Sequence, residues 1–346
     1  MNILFYPCEE EFLDVLEVNA FKIGYTVGSL VSPKDWKEVG RKVHLSERVL
    51  EVKDDFSDEL HKCDMVWIIN SRLKINNYII EKYKKLALEN GKKVLDLRSD
   101  VMLDDGSWKT DTILLQNLEN EMFEESEVPV IMIANSFGDN YFANLKMHSY
   151  IKKYIEKKGY SVLSIASEIE SKLFGWHTYF DILGSNIDGL SIERLNKYVN
   201  FLYDKEKTDV IIVNVPGNLI RYGNLYLGDC GVTAYKVSRS LLPDIVVMGL
   251  TYGNYSKDYM ESLGYELECI LGQEVDFFVM QNREIDIEET LRLSRLQTIE
   301  VNSGLVLDNI NALGMQNLYY SDRRALQDLT EKIIEKLKSY SAVNLV

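Results

Sequence analysis

The stretch Val128–Ile165, VPVIMIANSFGDNYFANLKMHSYIKKYIEKKGYSVLSI, decides the fold. Its first seven residues form a continuous apolar run of strand length, the pattern of a strand buried on both faces. Asn135–Asn140 (NSFGDN) is a polar loop, and Phe142, Leu145, Ile151, Tyr154 and Ile155 then form the apolar stripe of a helix reaching about Lys158. Lys152, Lys153, Lys157 and Lys158 crowd its C-terminal half, where the helix dipole stabilises cations. Gly159 ends the helix, and Tyr160–Ile165 is the next strand. Strand, crossover helix, strand is the repeating unit of a parallel sheet.

The alternation continues in both directions. Downstream, Leu190–Lys205 reads as a helix, Asp209–Val215 (DVIIVNV) as a buried strand and Val232–Leu242 as a helix stopped by Pro243. Ile245–Leu250 and Val275–Met280 are further strands, with a helix at Ser256–Leu263 between them. A short strand near Thr298–Val301, a helix from Ser303 and a charged helix from about Asp322 to Ser339 finish the chain. Upstream, Asn2–Tyr6, Met65–Asn70 and Lys93–Leu97 are strands, with a helix at Ile75–Glu89 closed by Asn90-Gly91. The Glu-rich stretch NLENEMFEESE ahead of Pro129 marks a boundary. The expected architecture is α/β in two domains. Residues 1–126 form a small Rossmann-like parallel sheet, and residues 127–321 a larger P-loop-like open parallel sheet with a degenerate phosphate loop. A C-terminal helix, 322–346, packs on the second domain.

Composition narrows the function. At 346 residues with 46% hydrophobic and 27% charged residues, the chain is globular rather than disordered. A net charge of −15 repels phosphate backbones, so nucleic acid is not an expected partner. The apolar runs fall short of the ~20 residues that span a bilayer. The opening MNILFYPCEEEF lacks a basic region followed by an apolar core, so no signal peptide and no membrane partner are expected, and the location is cytoplasmic. Cys8, Cys63, Cys230 and Cys269 stand far apart, and His44, His61, His148 and His177 show no ligand spacing, so no metal site is expected. Cys8 precedes three acids, Glu9–Glu11, which oppose a reactive thiolate.

In open sheets, ligands sit beyond the carboxyl ends of strands. The first such place is the loop containing Asn135, Ser136, Gly138, Asp139 and Asn140. A P-loop reads G-x-x-x-x-G-K-[ST]. With Gly138 as the second glycine, Ile133 takes the first position and Asp139 replaces the lysine; with Gly138 as the first, Ala143 and Asn144 stand where Gly-Lys belongs. Neither register fits, so an ordinary ATP site is not expected, and Asp139 also reads as a helix N-cap. Helix amides still leave room for a smaller carboxylate or phosphate. The second place is Leu173–Thr178, where His177 beside Trp176 in a Gly-hinged loop reads either as a general acid/base or as a packed side chain. The third is Val215–Asn218, where Gly217 and Asn218 follow the DVIIVNV strand. Asn214 is neutral where a magnesium-holding acid stands in P-loop proteins, and Asp209 is at the wrong end of the strand. Arg221–Gly231 is long enough for a lid and equally reads as a surface excursion. With no G-x-G-x-x-G after the first strand, nicotinamide and flavin have no signature.

Five segments in order, VPVIMIA (128–134), KKGYSVLSIAS (157–167), ESKLFGWHTY (170–179), DVIIVNVPG (209–217) and YKVSRSLLPDIVVMGLTY (235–252), resemble the clostridial peptide maturation system proteins. The resemblance runs from Val128 to Met280. It implies an accessory or tailoring role in making a ribosomally synthesised, modified peptide such as a bacteriocin, with the precursor peptide and a radical SAM maturase as partners. The family's Leu-Phe-Gly-aromatic-His stretch matches Leu173–His177, which raises His177 as the catalytic candidate. The alternative is a ligase or group-transfer enzyme using a phosphorylated or acyl-activated substrate at the loop 135–140.

Overall fold

Four aspartates stand immediately before apolar strands, and each ties its strand to a neighbour. In the computed structural model, Asp64, Asp209, Asp244 and Asp276 accept the backbone N–H of Asn2, Ser161, Val130 and Val246 at 2.8, 2.7, 2.8 and 2.6 Å. The backbone N–H of each aspartate returns a bond to the carbonyl of that same residue. A double link of this kind sets parallel register at the amino end, where the ladder would otherwise leave a donor unpaired. Asp209, at the wrong end of its strand for catalysis, therefore has a structural task.

The structure describes residues 1–346 except 23, 47, 72–74, 99–117, 119–122, 137–140, 180–181, 184–188, 222–223, 225–229, 295 and 344–346. The chain divides into two compact units: Met1–Lys109 with Glu168–His177, and Thr110–Ser167 with Thr178–Val346. The sequence pattern predicts one cut at 126/127; the structure instead has an excursion after the strand that ends at Ala166, which composition does not mark.

The smaller unit carries β1 (Asn2–Tyr6), β2 (Thr26–Leu30), the hairpin β3 (Lys42–His44) and β4 (Val49–Glu51), β5 (Met65–Ile68) and β6 (Lys93–Asp96). Its main sheet is parallel in the order β2-β1-β5-β6. Leu4, Tyr6, Val66, Ile68, Ile80 and Ala87 are buried together beneath the helix Asn77–Glu89. Helices Glu10–Val18 and Phe56–Leu60, which the apolar pattern does not announce, complete it. Cys8 is fully buried, and its thiol is pushed up first by desolvation and then by the charges of Glu38 and Glu9.

The larger unit holds β7 (Val130–Asn135), β8 (Val162–Ala166), β10 (Val210–Asn214), β11 (Ile245–Tyr252) and β12 (Phe277–Ile285). Its sheet also takes in the edge pieces β9 (His177–Thr178), β13 (Thr298–Glu300) and β14 (Leu318–Tyr320). The order is β13-β12-β11-β7-β10-β8-β9, with β14 beside β12; the pairing is parallel along β12-β11-β7-β10-β8 and antiparallel only at β13. All residues of β7 and β10 are buried, as a sheet covered on both faces requires. The helix Tyr141–Lys157 crosses from β7 to β8, and the C-terminal helix Arg323–Val343 packs on it, with Tyr154 donating to the Arg323 carbonyl and Lys158 meeting Glu331 at 3.1 Å. Among the described residues no helix is long and apolar enough to cross a membrane.

Candidate functional site

The chain leaves β7 toward β8 on one side, and from β10 it crosses β7 to reach β11 on the other. This reversal makes the carboxyl end of β7 the topological switch point, the ligand-binding crevice of open α/β sheets. Five strands carry buried polar side chains there: Asn135 at the end of β7 with Ser136 just after it, Ser167 after β8, Asn214 on β10, Thr251 on β11 and Gln281 within β12.

A lateral bridge ties three of them. Gln281 Nε2 donates to Asn135 Oδ1 at 3.2 Å, passing over Gly249 of the intervening β11. A Cβ on Gly249 would lie 1.9 Å from Asn135 Oδ1, so only glycine admits the bridge. Ser136 donates from both N and Oγ to the Gly249 carbonyl, at 3.0 and 3.1 Å. The Asn135 and Ser136 carbonyls accept from Leu219 N and Ile220 N at 3.3 Å each, holding the chain after β10 against the end of β7.

On the other side of β7, Asn144 in the first turn of the crossover helix donates from Nδ2 to the Val215 carbonyl at 2.6 Å. Asn214 Oδ1 accepts from Ser167 N at 3.0 Å, and the Asn214 carbonyl accepts from Tyr179 Oη at 2.7 Å. Asn144 Oδ1 and Ser167 Oγ are buried without a hydrogen-bond partner, a situation that ordinarily costs about 1–3 kcal/mol per group. Gly217 has φ +86 and turns the chain, and the buried Asn218 accepts on its carbonyl from Gly231 N at 2.9 Å.

Of the expected site residues, the structure brings together Asn135, Ser136, Gly217 and Asn218. Gly138, Asp139 and Asn140 lie outside the described residues, as does most of the 221–231 stretch. Trp176 and His177 belong to the smaller unit. There Trp176 is buried, its ring 5.7 Å from Phe174, which in turn lies 5.8 Å from Phe21. His177 is half-buried and sits in the two-residue strand β9, not in a loop, because Gly175 at φ +77 closes the 3₁₀ turn Ile169–Phe174 and lets the chain straighten. The apolar pattern missed Asn144, Gly249 and Gln281. Gly249 did carry a signal: a glycine inside the run IVVMGLTY marks a close approach.

The described cluster contains amides and hydroxyls, with no carboxylate, imidazole or thiol. Such groups donate and accept hydrogen bonds but do not move protons near neutral pH. Among the described residues no group of three or more His, Cys, Asp or Glu is placed to hold a metal ion.

No protein-family model matches the chain, and no curated protein sequence matches it. Among solved structures it is similar to a DUF1611 family protein from Anabaena variabilis, with a TM-score of 0.53 at 10% identity over 96% of this chain and 99% of that one. That likeness is one of fold. Lower similarity, with TM-scores of 0.34 and 0.33, links it to the signal recognition particle 54 kDa protein of Aeropyrum pernix (12% identity, 66% of this chain, 54% of that one) and to chloroplast FtsY of Physcomitrella patens (15%, 63% and 72%). The fold is α/β, with a small parallel sheet and a larger, mostly parallel one.

Proposed function

We propose that the protein is a cytoplasmic accessory component in the maturation of a ribosomally made peptide, binding the precursor peptide or its maturase. The maturation role rests on the resemblance of the five ordered segments. The binding role is carried by one observation: the side chains buried at the switch-point strand ends are the neutral Asn135, Ser136, Asn144, Asn214 and Gln281, where a P-loop protein has a lysine and an acid. Neutral amides of this kind suit an uncharged amide-bearing group, such as a peptide backbone, and leave a magnesium-bound triphosphate without its counter-charges.

Reconstitution tests this reading. Purified protein, precursor peptide and radical SAM maturase are combined with and without nucleotide and followed by intact mass. Binding of the precursor or the maturase, with modification by the maturase improved but no new mass added by this protein, is the expected result. A mass change that this protein catalyses without the maturase would move the reading to group transfer at the loop 135–140. Binding of magnesium-ATP at micromolar affinity, lost on changing Gly138, would overturn the neutral-ligand reading.

A further inference from the structure

We infer that the β8 side of the switch point binds a primary carboxamide, the group carried by asparagine and glutamine side chains. The two sides of β7 differ in how their polar side chains are matched. Toward β11 the set is closed: Gln281 donates to Asn135, and Ser136 donates to the Gly249 carbonyl. Toward β8, Asn144 Oδ1 and Ser167 Oγ have no hydrogen-bond partner among the described residues. Asn144 is 3% and Ser167 7% exposed. Buried polar side-chain atoms are matched in the large majority of cases, so an exception at a ligand crevice points to a ligand.

Both residues are anchored to the end of one strand. Asn144 donates from Nδ2 to the Val215 carbonyl, and Ser167 donates from its backbone N–H to Asn214 Oδ1. The parallel register pairs Val213 with Ile165, and two residues further along each chain stand Val215 and Ser167. This anchorage fixes what the site asks for. The Val215 carbonyl requires a donor, so the Asn144 amide is held with its oxygen as the open acceptor. Such an acceptor selects an N–H and works against an ionised carboxylate, which has none. The Ser167 hydroxyl can donate in return to a carbonyl. A primary carboxamide carries N–H and C=O on one edge, so one group serves both positions. In a trans peptide unit the two point to opposite sides, which favours a side-chain amide over the backbone. An ammonium group would leave the Ser167 hydrogen unmatched and would bury a charge among neutral side chains.

The inference rests on the neutral-ligand reading of the switch point and narrows it to a side-chain amide, but its test needs neither precursor nor maturase. Ligand-observed NMR titrations of the full chain use four probes, the N-acetyl N-methylamides of glutamine, glutamate, glutamate γ-methyl ester and lysine. All four share the backbone amides, and the ester keeps the side-chain carbonyl while losing the N–H. The glutamine probe should bind, and the other three at least about tenfold more weakly, because a site built around a hydrogen bond rejects analogues that lack it. Asn144 also holds Val215, so its oxygen is tested by these changes in the ligand. Ser167→Ala should weaken the glutamine probe by about tenfold or more. Its thermal midpoint should stay level or rise, because the hydroxyl removed has no partner in the fold. No binding of the glutamine probe, binding of the ester as tight as glutamine, or a lowered midpoint with unchanged binding in Ser167→Ala would overturn the inference. Equal binding of all four probes would overturn it too, while leaving the backbone-amide reading standing. The reconstitution outcome is independent of each.

Discussion

Replacing Gly249 by alanine tests whether the Asn135–Gln281 bridge holds the switch point together. The added Cβ would stand 1.9 Å from Asn135 Oδ1 and 3.1 Å from both Asn135 Cγ and Gln281 Nε2. The Asn135 side chain must leave, which strands a buried amide at about 1–3 kcal/mol. Residual overpacking adds about 1–3 kcal/mol, and the stiffer unfolded chain returns about 0.5–1 kcal/mol. The expected loss for Gly249→Ala is therefore about 1–5 kcal/mol. In an Asn135→Ala background the clashing atom is absent, so the same substitution should cost about zero, a coupling of about 1 kcal/mol or more. Among the described residues, Trp36, Trp67 and Trp176 belong to the smaller unit, so their fluorescence does not report the larger one directly. Far-UV circular dichroism in a denaturant series follows the unit that changes. Equal costs in both backgrounds, or a loss below about 1 kcal/mol for the single variant, would refute the bridge as the reason for the glycine.

Further expectations concern other parts of the chain. Burial holds the His148 imidazole well below its ordinary pKa, with Lys152 adding to the effect, so His148 stays neutral in the fold while its unfolded counterpart titrates near 6.5. Its contribution is complete above that pH and is lost as pH falls, at up to about 1.4 kcal/mol per pH unit. His148→Gln should flatten the stability profile between about pH 7 and about pH 5; parallel profiles would contradict this. Asp244→Ala should cost about 1–3 kcal/mol by leaving the Val130 N–H buried without its acceptor, and Asp244→Asn distinctly less, because burial already raises the Asp244 pKa and an amide oxygen still accepts. If His177 handles substrate, as its place in the Leu173–His177 stretch suggests, His177→Ala loses product in the reconstituted system with less than about 1 kcal/mol of stability. A destabilised His177→Ala protein with full specific activity would return His177 to a packing role.

The sequence by itself determined the α/β class and nearly every strand of the two main sheets, because a parallel strand covered on both faces must be apolar throughout. Asn2–Tyr6, DVIIVNV and IVVMGLTY could not be anything else in a chain punctuated by helices. It also determined that neither register of Gly138 supplies the lysine of a G-x-x-x-x-G-K-[ST] loop. What only the tertiary structure decided is which residues meet. Strand order puts β11 between β7 and β12, and that order alone makes Asn135 and Gln281, separated by 146 positions, hydrogen-bond partners over Gly249. The assignment of Glu168–His177 to the smaller unit was equally hidden, because it depends on Phe174 finding Phe21 rather than on any local pattern. Short pieces such as β9 and β14 owe their existence to a neighbouring strand's unpaired edge, and two or three residues carry no periodicity from which to read them.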